Sequence, residues 1–134
     1  MKSYTDLEQS RKLAQILPLE SADMVSPFQH TKNDEYIPGY VVSRNYVEVH
    51  NEMMKLPAME KEDICKLIQP SWSLAALLDV LPFPQLSKDK LGSGKEGWMV
   101  SAYPNDCRYD SCWHDNTVDA CYEMILKLHE LKIL

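Results

Sequence analysis

Cys107, Cys112, His114 and Cys121 carry the side chains that bind soft metals. Thiolate and imidazole are the usual ligands of zinc, so a zinc-stabilised module is one reading. The spacing is four residues between the first pair, one before the histidine and six to the last cysteine. That fits none of the common zinc-knuckle patterns. On an extended segment Cys107 and Cys112 also differ by an odd number and point to opposite faces. The plainer reading makes them small buried hydrophobes plus a surface thiol, with no cofactor.

The same segment suggests a second chemistry. On a strand, Arg108, Asp110, Cys112 and His114 share one face. A histidine can lower a thiol pKa, and a carboxylate can orient the imidazole, so the row would suit a small-molecule binder or an enzyme. The competing reading makes the row the wet face of a hairpin, with Cys107, Tyr109 and Trp113 turned to the core. Trp98, Tyr103 and Trp113 form a third group. Aromatic rings left over from the core would make a natural patch for a partner or a stacking ligand. Gly92-Ser93-Gly94-Lys95 resembles the end of a phosphate loop. It has Asp89 where the first glycine belongs and Glu96 where a hydroxyl belongs, so it reads as a flexible connection. Glu60, Glu62 and Asp63, beside Lys61 and Lys66, read as a solvated helix face.

These groups need elements to position them. Thr5-Asp6-Leu7-Glu8 has the form of a capping box, and the apolar spacing after it predicts a helix over 6–17, stopped by Pro18. Asp23 to Ser26 suggests a short strand ended by Pro27. Residues 36–42 are β-rich, with Pro38 confining them to an edge or a bulge. A strand near 40–42, a helix near 46–55 and a helix over 58–68 follow. Ser71 to Leu81 reads as a buried helix containing Trp72, with Asp79 its only charge. Ser87 to Gly97 reads as a loop. Gly97–Tyr103 reads as a strand that Pro104-Asn105-Asp106 turns back through Cys107–Trp113. Asp115 or Asn116 caps a last helix over 117–131, with Glu123, Lys127 and Glu130 on its wet face.

The chain has 134 residues, 45% hydrophobic and 25% charged, as expected of one globular domain over 1–134. Residues 25–69 are its least patterned stretch. The net charge is −6, and the acid excess is spread over both halves. No basic run exists to follow a phosphate backbone, which disfavours nucleic acid as a partner. No stretch has the length and apolarity of a membrane helix, and the N-terminal residues lack an apolar signal region. A cytoplasmic setting with reduced thiols follows as the expectation.

The stretches Pro70 to Pro82 and Asp115 to Leu131, with Thr5 to Ser10 and Glu20 to Met24, are similar to a family of short proteins carried by prophages and other mobile elements of anaerobic gut bacteria. The resemblance covers nearly half the chain and leaves 25–69 aside. It implies a bacterial or phage cytoplasm, and it brings no assigned activity and no site residue.

The fold expected is α+β: a small antiparallel sheet around a 97–113 hairpin, with three or four helices packed on one face. The leading functional expectation is a non-enzymatic accessory protein of a phage or mobile element that binds another protein. Self-association remains open.

Overall fold

The computed structural model describes residues 2–30, 36–38, 41–56, 68–92 and 94–134. They form an α+β arrangement of helices and two small antiparallel sheets. The chain divides into two compact units, Asp6–Trp72 and Met1–Thr5 with Ser73–Leu134.

In the first unit, α1 spans Leu7–Leu13. Its capping box lies one residue later than the sequence suggested. The Gln9 amide donates to Asp6 Oδ1 at 2.8 Å, and the Asp6 amide donates to Gln9 Oε1 at 3.2 Å. Asp is at least as good an N-cap as Thr, and Thr5 is buried. The helix also ends early. The amides of Ile16 and Leu17 both return to the Leu13 carbonyl, a tightened turn that delivers the chain to Pro18.

β1 (Met24–His30) is the central strand of the first sheet. β2 (Tyr36–Pro38) pairs with it from Phe28↔Pro38 to His30↔Tyr36. β3 (Ile68–Ser71) pairs from Met24↔Ser71 to Pro27↔Ile68. β1 therefore runs through Pro27, where the sequence suggested an end. Val25 exchanges hydrogen bonds of 2.9 and 2.8 Å with Val42 on the β2 side. Two residues on, Pro27 brings no N–H to that side, between the Val42 bridge and the β2 pairing that begins at Phe28. Pro38 closes an edge strand, as expected.

α2 (Tyr46–Met54) begins where Asn45 Oδ1 accepts the Glu48 amide at 3.2 Å. The helix expected over 58–68 lies outside the described residues, except that Ile68 opens β3. Trp72 is not helical. Ser71 ends β3 and Ser73 caps the next helix, which leaves Trp72 between them and fully buried. Its indole N–H donates to Ser21 Oγ at 2.9 Å, and the Ser21 hydroxyl donates to the Pro18 carbonyl at 2.6 Å. That satisfies the ring's one polar atom in the core.

In the second unit, α3 (Leu74–Val80) starts at Ser73, whose Oγ accepts the Ala76 amide at 3.2 Å. β4 (Gln85–Lys90) lies where a loop was expected. Its one large apolar residue, Leu86, hides it from hydrophobic patterning. It is held by a full six-residue register against β5 (Glu96–Ala102), from Gln85↔Ser101 to Lys90↔Glu96. Lys88 lies 5.1 Å over the Trp98 ring and 3.0 Å from Glu96. Lys88-Asp89-Lys90 also charge an outer edge strand, which discourages further pairing. β6 (Tyr109–Asp110) completes the sheet on the other side of β5.

α4 spans Thr117–Glu130, with Asn116 Oδ1 accepting the Asp119 amide at 2.8 Å. Its buried line, Val118, Cys121, Met124, Ile125 and Leu128, packs against β5 and α3. The helix ends in a Schellman cap. Lys132 takes the left-handed conformation, its amide returns to His129, and the Ile133 amide returns to Leu128 at 2.9 Å. No helix among the described residues is long and apolar enough to cross a membrane.

Candidate functional site

The polar row expected on the hairpin does not form. Asp110 stands opposite Ser101, and His114 stands opposite Trp98. Between these pairs Met99 and Val100 face Ser111, Cys112 and Trp113, so the returning arm carries one extra residue. This is a bulge, and it reverses the alternation of side chains beyond it. Ser101 and Trp98 are three apart on β5, so their partners lie on opposite faces. The Ser111 hydroxyl accepts the Val100 amide at 3.0 Å and donates to the Cys112 carbonyl at 2.8 Å, which repairs the ladder at the bulge.

Two separate clusters result. Arg108 Nε donates to Asp110 Oδ1 at 2.8 Å, and the Ser101 hydroxyl donates to the same oxygen at 2.6 Å. Ser101 first, then Arg108, hold the Asp110 carboxyl below its ordinary range. The hydrogen bond to Asp110 and its charge keep the Arg108 proton more firmly bound. The second cluster gathers on Glu123, which the sequence had placed on the wet face of α4. The Cys112 amide donates to Glu123 Oε2 at 2.7 Å. His114 Nε2 is buried 3.3 Å from Glu123 Oε1, at ion-pair distance but off hydrogen-bond alignment. Partial burial opposes ionisation of Glu123, but the Cys112 amide, its thiol and His114 outweigh that and hold the carboxyl low.

For Cys112 the consequence is the reverse of activation. The hydrogen bond to Glu123, and then its negative charge, push the thiol pKa up. A nucleophilic thiol needs the opposite shift. The cluster instead straps the bulged arm to α4. The sequence could have hinted at Glu123 only through the bulge, and nothing in residue spacing announces one.

The metal-ligand candidates are also dispersed. Cys107 and Cys112 are exposed, whereas Cys121 is buried in the α4 core, where burial pushes its thiol up to about 12. Among the described residues no group of three His, Cys, Asp or Glu side chains is arranged to hold a metal ion.

Of the three aromatic candidates, Trp98 lies under Lys88, Trp113 is half-exposed within the bulged segment, and Tyr103 lines a groove. That groove, about 480 Å³, lies between the end of α3 (Asp79–Leu81), Pro82-Phe83, the Tyr103–Asn105 turn, and Ile133-Leu134 beyond the Schellman cap. The Tyr103 amide donates to the Pro82 carbonyl at 2.9 Å and ties two walls together. Phe83 stands at its edge, 80% exposed, with a left-handed φ of 48° between two prolines. A residue before proline is steered to extended backbone, so this conformation is strained.

The first unit has a pocket of about 390 Å³, lined by Arg11, Ala14, Gln15, Leu19, Tyr46, Ile68, Gln69 and Pro70. None of Arg108, Asp110, Cys112 and His114 lines either cavity. No protein-family model, curated protein or solved structure matches this chain.

Proposed function

We propose that this chain is a non-enzymatic accessory protein that acts by binding another protein, and that the groove beside Phe83 is its docking surface. The observation that carries the reading is Phe83. A large aromatic side chain in water contributes little to a core, and left-handed backbone at a bulky residue costs about 1–3 kcal/mol. The fold keeps both at the mouth of a groove with a mixed polar and apolar lining, where a ring can anchor a partner. The resemblance at the two ends and the middle helix adds a phage or mobile-element setting to the same proposal.

The test is capture from a lysate of the source cell by the tagged full chain and by its Phe83→Ala variant. One stoichiometric partner, held through moderate salt by the first and lost by the second, is the expected result. Equal capture by both removes the groove from the reading. Empty capture by both removes the partner.

A second reading, a small-molecule binder, draws on the pocket at α1. Arg11 is the one formally charged lining residue, with the Gln15 and Gln69 amides near it and Ala14, Leu19, Ile68 and Pro70 as apolar wall. Such a lining suits an anion with an apolar body. Thermal shift with a panel of organic carboxylates, repeated on Arg11→Gln, distinguishes it: a shift that the variant abolishes supports this reading.

A further inference from the structure

This inference rests on the docking reading and goes one step beyond it. We infer that the segment received by the groove is basic as well as apolar: a lysine or arginine beside a large aliphatic or aromatic side chain, presented by the partner protein. Asp79 carries the argument. It is the one charged residue of α3 and stands next to the helix's last residue, Val80. The aligned peptide dipoles gather partial negative charge at that end, so the position favours a cation and opposes an anion. The last turn of α3 contains no basic residue, and Asp79 forms no ion pair with any described residue.

The place of this charge matters. Asp79 lines the groove, and Val80, Leu81, Phe83, Ile133 and Leu134 around it are apolar. An anion and a helix C-terminus at the rim of a partly apolar slot complement a cation on an apolar stem, which is the form of Lys and Arg side chains. A local rule broken with no compensation among the described residues is what a recognition site leaves in a sequence. An acidic or purely apolar segment meets repulsion or no charge partner there.

The test pans a library of short random peptides, displayed on phage, against the immobilised full chain, Phe83→Ala and Asp79→Lys. Circular dichroism establishes that both variants fold. The expected enrichment on the unaltered chain is a basic residue close to a large apolar one. Phe83→Ala loses it, and Asp79→Lys exchanges the basic residue for an acidic one. A selected basic peptide binds Asp79→Lys at least about tenfold more weakly than the unaltered chain. Peptides that need Phe83 but show no charge preference overturn this inference and leave the docking reading standing. Absence of any Phe83-dependent enrichment overturns both. Concentration-dependent self-association in sedimentation, abolished by Phe83→Ala, makes a second copy the occupant and also overturns the inference.

Discussion

In the unit of residues 73–134, one helix supplies most of the buried side chains. Val118, Ala120, Cys121, Met124, Ile125 and Leu128 of α4 are shielded together, against Val100 and Ala102 of β5. In residues 6–72 the core is assembled from scattered positions: Leu13 ending α1, Leu17 after it, Ala22, Val25 in β1, Tyr46 opening α2, Ile68 in β3, and Trp72. The first kind of core is periodic along the chain and needs few long-range decisions. The second depends on β1 finding β3 some forty residues later, and on one large ring filling the space between short elements. Loss of a single anchor should therefore be felt most in the dispersed core.

The strongest way to break this contrast is to remove the anchors in turn. Trp72→Ala should cost about 3–5 kcal/mol, since it empties the volume of the largest fully buried side chain among the described residues. Ile125→Ala in α4 should cost about 2–5 kcal/mol and fall below it, because neighbouring α4 side chains can close part of the cavity. Urea unfolding by circular dichroism measures both, and a larger loss at Ile125 defeats the contrast. Next comes Asn116→Ala, which removes the cap of the helix on which the periodic core depends. About 1 kcal/mol of stability should go with it, seen in the same titration.

The third test is pH. Glu123 is held below its usual pKa in the folded chain, so its contribution is present at neutral pH. It is lost as pH falls through the carboxylate range towards the depressed folded value, because the unfolded chain binds the proton first. Asp110 acts in the same direction. The urea midpoint should fall between about pH 5 and pH 3, and Glu123→Gln should show a smaller fall. An unchanged pH dependence in that variant removes the strap from the account. The smallest effect is a gain: Asp79→Asn should stabilise by about 0.3–1 kcal/mol by relieving the anion at the end of α3, while weakening any basic ligand.

The legibility of the sequence divides along the same line. The last helix, its Asn116 cap and the strand at 97–103 follow from local rules of period and capping, whereas 46–55 alternates like a strand as well as a helix and its Asn45 cap decides it. The rest turned on pairing. β4 is polar enough to read as a loop, and only its partner makes it a strand. Pro27 looks like a strand end until the change of neighbour beside it is known. Trp72 reads as helical because Ser71 and Ser73 are equally good caps on paper, and β3 claims the first. At the hairpin, one inserted residue turned a four-residue row into two clusters on opposite faces. The groove joins segments far apart in sequence, so no spacing announces it; Tyr103 reads only as a spare ring, and Phe83 carries no signal of its own.

Phe83 has a consequence of handedness. Its backbone sits where an L-residue crowds its own carbonyl and where the mirror-image residue is at ease. A chain made by chemical ligation with D-phenylalanine at this position would keep the ring and remove the clash of its Cβ with the bend, leaving only the constraint from Pro84. The chirality of a single centre thus separates what the ring does from what holding it there costs, which no substitution among the natural amino acids can do.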